Sequence, residues 1–369
     1  MLPYFLDCFG NPASSTHEWG WKAQEAVEEA RRKIAGLIGA TAREIVFTSG
    51  ATESNNLAIR GCAEIKDTGR QEIVTSAIEH KSVLESCKRL EQSGWKVTYL
   101  PITREGRVDL AAARDAITDR TLLVSVMFAN NEIGTLQPIY ELSQLAHARG
   151  ALVHTDAAQA AGKVPIDVNA LGIDLLSMTA HKLYGPKGCG ALYVKRKLAL
   201  CPMIEGGGQE RGVRAGTLNV PGIVGFGEAA RVSKDEMGEE GERTKRLRTR
   251  LLEGLQSNLD GVRVNGSLDD RLPQNLHVSF ENVDSEELMV GIGDIAVSAG
   301  SACQSGKGGV SHVLQALYRG DAPHAAAVRF GLGRYTTEEE IDYAVSKFSA
   351  VVRHLRPSAQ SLQPAQGHS

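Results

Sequence analysis

Much of what would mark a chain for a membrane, a disulfide scaffold or nucleic acid is missing from this sequence. The longest apolar run, Thr121 to Ala129, falls far short of the roughly 20 residues that a bilayer-spanning helix needs. The N-terminus lacks the basic-then-apolar order of a secretory leader. Cysteine is sparse: Cys8, Cys62, Cys87, Cys189, Cys201 and Cys303 form no C-x-x-C pair and no regular spacing. Neither a disulfide framework nor a zinc site is indicated, and each is read as a free thiol. Excess charge of one sign is absent too, with 41 basic residues against 44 acidic ones, so nothing attracts a polyanion or an anionic surface. A cytoplasmic globular protein with a small-molecule partner is expected, without direct nucleic-acid or membrane contact.

What is present is enough apolar chain for a large core and a smaller one: 369 residues, 42% of them hydrophobic. Short apolar runs alternate with helical periodicity through the first half. Expected strands are Glu44 to Thr48, Glu72 to Ala77, Trp95 to Pro101, Thr121 to Phe128, Ala151 to Thr155 and Ile173 to Met178. Helices are expected at Lys22 to Ile38, after Ser49-Gly50-Ala51-Thr52, at Ser82 to Gln92 and at Pro138 to Arg149. This alternation predicts an α/β domain over 1–233 with a mostly parallel sheet. A charged helix from Lys234 to about Leu259 leads into an α+β domain over 234–356, with strands near 262–264 and 275–280 and helices at 285–292 and 337–355. Residues 357–369 are polar and without periodicity, and are expected to be disordered.

In such sheets ligands gather at the carboxyl ends of strands, and several strand ends here carry polar groups. Ser49 to Thr52 opens a helix whose free N–H groups suit an anion, or else merely caps it. His80 is a base or a helix cap. Asn131 is an amide donor or a turn residue. Asp156 follows an apolar strand and needs a partner there, because a buried unpaired carboxylate is costly. Lys182 lies in a Ser/Thr/His/Lys cluster before a glycine-rich turn, with Thr179 and His181 beside it. Further on, Glu205 to Asn219 is a polar glycine-rich loop, and Val297 to Gly309 is a small-residue loop with Cys303 at its middle. That loop is no phosphate-binding P-loop, since Ser301 stands where the first glycine belongs and Gly308 where Ser or Thr should follow the lysine. The thiol is either a small packed side chain or an accessible nucleophile.

A lysine, an acid, an amide, a base and a helix N-terminus on one sheet edge suit pyridoxal 5′-phosphate (PLP). That cofactor needs an amine for its aldehyde, an acid for its pyridine nitrogen and donors for its phosphate. The ordered motifs FGNPASSTH, FTSGATESNNLAIRG, EHKSVLE, NNEIGTLQPI, HTDAAQAAGKVPID, MTAHKLYGPKGCGALYV, GGGQERGVRAGTLN, SAGSACQSG and VRFGLGRYTTEEEID make the chain resemble the cysteine desulfurases of the NifS/IscS type. These belong to the class V aminotransferases, fold-type I PLP enzymes, and the resemblance covers about Leu2 to Leu355.

The resemblance implies roles. Lys182 would hold the cofactor and move a proton between substrate and cofactor. Asp156 would pair with the ring nitrogen and Gln159 with the ring hydroxyl, while His80 stacks on the ring and assists acid/base steps. Thr52, Thr179, His181 and the Ala51 backbone would hold the phosphate, joined by Thr217 from the partner subunit of a homodimer. Asn131 and Arg329 would bind the substrate carboxylate, and Cys303 would take the sulfur of L-cysteine as a persulfide, leaving alanine. The sulfur acceptor implied is an iron–sulfur scaffold or a tRNA-thiolation protein. No resident metal is implied, although Cys303 could transiently share an iron–sulfur cluster with a partner. Family members also carry a segment ahead of the stretch matched by Met1 to Phe5, with a turn that helps form the substrate pocket, so adding such a segment is expected to raise activity. The other readings are a selenocysteine lyase or other PLP lyase, and a weakly active docking protein in a sulfur-transfer complex.

Overall fold

The computed structural model describes residues 1–65, 69–298, 311–320 and 325–356. Ten strands are described: β1 (Ile45–Thr48), β2 (Glu72–Ser76), β3 (Lys96–Leu100), β4 (Thr121–Ser125), β5 (Leu152–Asp156), β6 (Leu175–Thr179), β7 (Gly190–Val194), β8 (Val262–Val264), β9 (Asn275–Glu281) and β10 (Ala325–Gly331). The helices are α1 (Pro3–Leu6), α2 (Glu18–Leu37), α3 (Ala51–Ala63), α4 (Lys81–Glu91), α5 (Leu110–Ala116), α6 (Ile139–Ala148), α7 (Val220–Asn258), α8 (Ser285–Gly291), α9 (His312–Leu317) and α10 (Glu338–Leu355).

The first seven strands form one sheet in the order β1-β7-β6-β5-β4-β2-β3. The pairs β2–β3, β2–β4, β4–β5 and β5–β6 are parallel. Strand β7 turns back antiparallel on β6, and β1 is antiparallel to β7. The C-terminal end of β1 therefore lies on the same edge as those of β2, β4, β5 and β6. Strands β2, β4 and β6 are buried along their whole length, as expected of strands with helices over both faces. Their apolar runs are why the sequence reads so clearly there.

Helix α2 buries Val27, Ala30, Ile34 and Leu37, spaced to form one stripe against α7. The two helices meet closely at Gly227, where an added Cβ would lie 2.6 Å from that of Ala30. Helix α7 is longer than the sequence suggested. It begins at Val220, with the Asn219 side chain accepting from Gly222 N–H, rather than near Lys234. Its first half supplies Ile223, Phe226 and Ala230 to the large core, and its second half supplies Leu247, Leu251 and Leu255 to a separate core around β8, β9 and β10. The small sheet is antiparallel, in the order β10-β9-β8. We propose that these two cores correspond to domains spanning 1–233 and 234–356. The tail at 357–369 lies outside the described residues.

Helices α5 and α9 and strand β10 were not expected from the sequence. Strand β10, AAAVRFG, alternates partly buried and buried positions, and its alanines carry little strand preference. Among the described residues no helix is long and apolar enough to cross a membrane.

Candidate active site

A cleft of about 550 Å³ opens where the carboxyl edge of the large sheet meets the small sheet. It is lined by Ala51, Thr52, His80, Asn131, Asp156, Gln159, Thr179, His181, Lys182 and Arg329. All the expected site residues except Thr217 and Cys303 are thus brought together. Thr217 is exposed and outside the lining, on a loop tied to the start of α3 by the Arg214–Glu53 ion pair at 2.9 Å. Cys303 lies outside the described residues.

Five strand ends build the wall. After β1, Gly50 caps α3 without any side-chain bond to the helix, so the capping alternative for Ser49 and Thr52 is not realised. The first-turn N–H groups of a 13-residue helix are left without a side-chain cap at the cleft, where they suit an anion. The start of β7 packs directly on this turn: a Cβ at Gly190 would sit 2.5 Å from Gly50 Cα. After β6, Thr179 Oγ1 and His181 Nδ1 are 2.9 Å apart, and the chain enters the 3-10 turn that carries Lys182. Burial, and the cations Lys182 and Lys187, lower the His181 pKa.

Asp156, at the end of β5, is only 6% exposed. Its carboxylate accepts from Asn55 Nδ2 at 2.7 Å and from Ala158 N–H at 2.9 Å. Burial raises its pKa, against the pull of those donors and of His80. Such a carboxyl fits a protonated pyridine nitrogen, a cation whose arrival would reverse the shift. With the first turn of α3 lining the same cleft, the cleft fits PLP.

His80 is both helix cap and cleft residue. Its Nδ1 accepts from Ser82 N–H at 3.2 Å and lies 2.8 Å from Ser82 Oγ. An acceptor role at Nδ1 leaves the proton of the neutral ring on Nε2. Asn55 Nδ2 also donates to Ser82 Oγ at 2.8 Å, so a buried chain of polar contacts runs from His80 through Ser82 and Asn55 to Asp156. Asn55 and Ser82 were not singled out in the sequence. The available signal was that Asn55 lies one helical turn beyond Thr52, on the helix that opens at the site. Glu79 was missed as well. It is fully buried, accepts from Ser76 Oγ at 2.6 Å and Met127 N–H at 2.8 Å, and burial pushes its carboxyl up to about 8.

The small sheet reaches the cleft through Arg329 on β10, whose Nη1 donates to the Asn131 carbonyl at 2.7 Å. Burial lowers its pKa from the usual guanidinium value. Ser298 exchanges backbone hydrogen bonds with Arg329. Ser311 Oγ donates to buried Glu132, and His312 Nε2 lies 3.1 Å from the Glu79 carbonyl.

A mixed sheet whose carboxyl edge carries this lysine, acid and helix N-terminus defines a fold-type I PLP-dependent enzyme. The family model for the class-V aminotransferases matches residues 1–344, and the chain belongs to that family. It is 52% identical over 358 residues to a cysteine desulfurase IscS of Anaeromyxobacter sp. (strain Fw109-5), covering 96% of this chain and 89% of that one. With the cysteine desulfurase IscS of Rickettsia africae (strain ESF-5) the identity is 49%, over 96% and 87% of the two chains. Among solved structures, a NifS-like protein superposes with a TM-score of 0.89 at 37% identity, covering 96% of this chain and 94% of that one. The DndA protein of Streptomyces lividans gives 0.78 at 40% identity, covering 89% and 94%.

Proposed function

We propose that this PLP-dependent cysteine desulfurase divides its work between the two walls of the cleft, the large sheet holding the cofactor and the small sheet bringing the carboxylate clamp and the nucleophile. The observation that carries the reading is the placement of Lys182 and Asp156 at adjacent strand ends of one cleft, which the N-terminus of α3 also lines. When bound, PLP supplies an electron-withdrawing ring that stabilises negative charge at the substrate Cα.

The protein's own groups do the rest. Lys182 holds the cofactor through its amine and carries the proton leaving Cα. Asp156, kept in place by Asn55 and Ala158, holds a proton on the ring nitrogen, and Gln159 meets the ring hydroxyl. His80 packs on the ring and shares acid/base work through Nε2. Thr52, Thr179, His181 and the Ala51 N–H hold the phosphate. Arg329 grips the substrate carboxylate with Asn131, an interaction strengthened by the low-dielectric surroundings of the guanidinium. The Cys303 thiolate attacks the substrate sulfur: an S–S bond forms as the Cβ–S bond breaks, leaving alanine and a persulfide on Cys303. Both flanks of this residue support that role, since Ser298 is bonded to Arg329 and Ser311 to Glu132, each at the cleft.

The further readings are a cytoplasmic homodimer with Thr217 serving the partner's phosphate site, and passage of the persulfide sulfur to an acceptor protein. Exposed Leu2, Phe5, Leu6, Phe9, Trp19 and Trp21 form the kind of apolar surface that a subunit interface covers. Borohydride reduction followed by peptide mapping tests the core of the proposal. The cofactor should be fixed on Lys182, and its recovery on any other residue would contradict it.

A further inference from the structure

One carboxylate outside the cleft joins three of the segments that line it. Glu240, on α7, accepts from Lys163 Nζ at 2.6 Å, from Tyr184 Oη at 3.0 Å and, through its second oxygen, from Arg334 Nε at 2.8 Å. Lys163 closes the turns that follow Asp156 and Gln159. Tyr184 lies two residues beyond Lys182, and Arg334 follows the strand that carries Arg329. Tyr184 also contacts the other two. Tyr184 Oη accepts from Arg334 N–H at 2.9 Å, and its ring lies under both Lys163 Nζ at 4.2 Å and the Arg334 guanidinium at 4.7 Å. A tyrosine ring attracts cations placed over its face.

The backbone at Tyr184 gives a reason for these contacts. Its φ of 62° and ψ of 17° lie in the left-handed region, which a residue with a bulky side chain adopts only when its surroundings hold it there. A glycine would satisfy that backbone alone, and Gly185 is the next residue. A tyrosine stands at the strained position instead, and its hydroxyl reaches both Glu240 and Arg334. Burial raises the Glu240 pKa, but Lys163, Arg334 and Tyr184 together outweigh this and hold it below the ordinary carboxylate value. The carboxylate is therefore charged throughout the neutral range.

We infer that Tyr184, Glu240, Lys163 and Arg334 form a latch that sets the distance between the Lys182 turn and the Arg329 strand, and so act as positioning residues for the substrate carboxylate. The inference rests on the proposed roles of Lys182 and Arg329. With the latch cut, the cofactor wall stays intact, because Asp156, Thr179 and the α3 terminus are held by other contacts. What is lost is the registration of Arg329 against a substrate anchored at the lysine.

The test uses reconstituted holoenzyme carrying Tyr184→Phe and, separately, Lys163→Met and Lys163→Arg. Tyr184→Phe should raise the KM for L-cysteine about tenfold, with a smaller change in kcat. It should weaken L-alanine binding, followed by the cofactor absorbance, by a similar factor. Borohydride labelling of Lys182 should remain stoichiometric. Lys163→Met should shift the same two quantities in the same direction, and Lys163→Arg should restore them, because the charge reaching Glu240 is kept. If the variants only melt earlier, with KM and alanine affinity unchanged, the cluster is structural and the inference is wrong. Loss of cofactor from both Tyr184→Phe and Lys163→Met would also overturn it. Failure of the wild-type labelling at Lys182 would instead remove the functional reading beneath it.

Discussion

Five strand ends of the large sheet deliver side chains to the cleft, whereas the small sheet delivers Arg329 from β10. The large-sheet wall is set by buried contacts that cross many elements, such as Asn55 to Asp156 and to Ser82, and Glu79 to Ser76 and Met127. The small-sheet wall is joined to it through Arg329 on Asn131, Asn275 on the Glu132 carbonyl, Ser311 on Glu132, backbone bonds of Leu136 to Asp270 and of Leu272 to Gly134, and the cluster at Glu240. The difference suggests a division of labour. A wall built from several strand ends of one sheet suits a cofactor that stays in place through every turnover, and a wall that reaches the cleft through one strand suits groups that meet a substrate arriving and leaving.

Substitutions on the two sides should therefore fail in different ways. Lys182→Ala should have the largest effect, lowering kcat by at least about 10²- to 10⁴-fold, the range supplied by a positioned proton-transfer group. Borohydride should no longer fix the cofactor to the chain, as absorbance and mapping would reveal. Arg329→Ala should leave that fixation intact and raise the KM for cysteine about 10- to 100-fold, as expected for loss of a charge-assisted hydrogen bond. If Arg329→Ala released the cofactor instead, the separation between the walls would be broken.

Thr217→Val should weaken PLP binding about 2- to 10-fold, the scale of one neutral hydrogen bond. A mixed dimer of Thr217→Val with Lys182→Ala tells which chain the threonine serves. If it reaches across the interface, the lysine-bearing site binds PLP normally; if it acts within its own chain, that site keeps the defect.

A further effect concerns stability and leaves the division between the walls untouched. The Glu79 carboxyl is raised in the folded protein from 4.5 to about 8. Its contribution is fully present below the unfolded value and is lost as pH rises through that window. Glu79→Gln keeps a neutral side chain of the same shape, so its Tm relative to wild type should climb between about pH 5 and pH 8. Parallel Tm profiles for the two apo-proteins would mean that Glu79 is ionised when folded.

The same contrast governs what could be read from the sequence. Fully buried parallel strands appear as unbroken apolar runs, so Thr121 to Ser125 and the strand before Lys182 were legible, and the polar residues just beyond them stood out. Helix α7 was only half legible, because Val220 to Ser233 is small and glycine-containing, whereas the leucine stripe begins at Leu247. Strand β10 was hidden by its alanines, and Arg329 was reached through the VRFGLGR motif alone. Asn55, Ser82 and Glu79 were missed for another reason. Asn55 lies 27 residues from Ser82 and 101 from Asp156, and Glu79 lies 48 from Met127, and no local pattern records a contact that only the sheet order creates.

The central claim is that Cys303 takes the sulfur from a substrate that the rest of the cleft holds and prepares. Cys303→Ala protein can be mixed with L-cysteine while the cofactor absorbance, alanine and protein persulfide are followed together. The account predicts that the cofactor band still responds to cysteine, because Lys182, Asp156, Asn131 and Arg329 are intact, while persulfide and catalytic alanine formation disappear. Alanine produced from cysteine at the wild-type rate would contradict it.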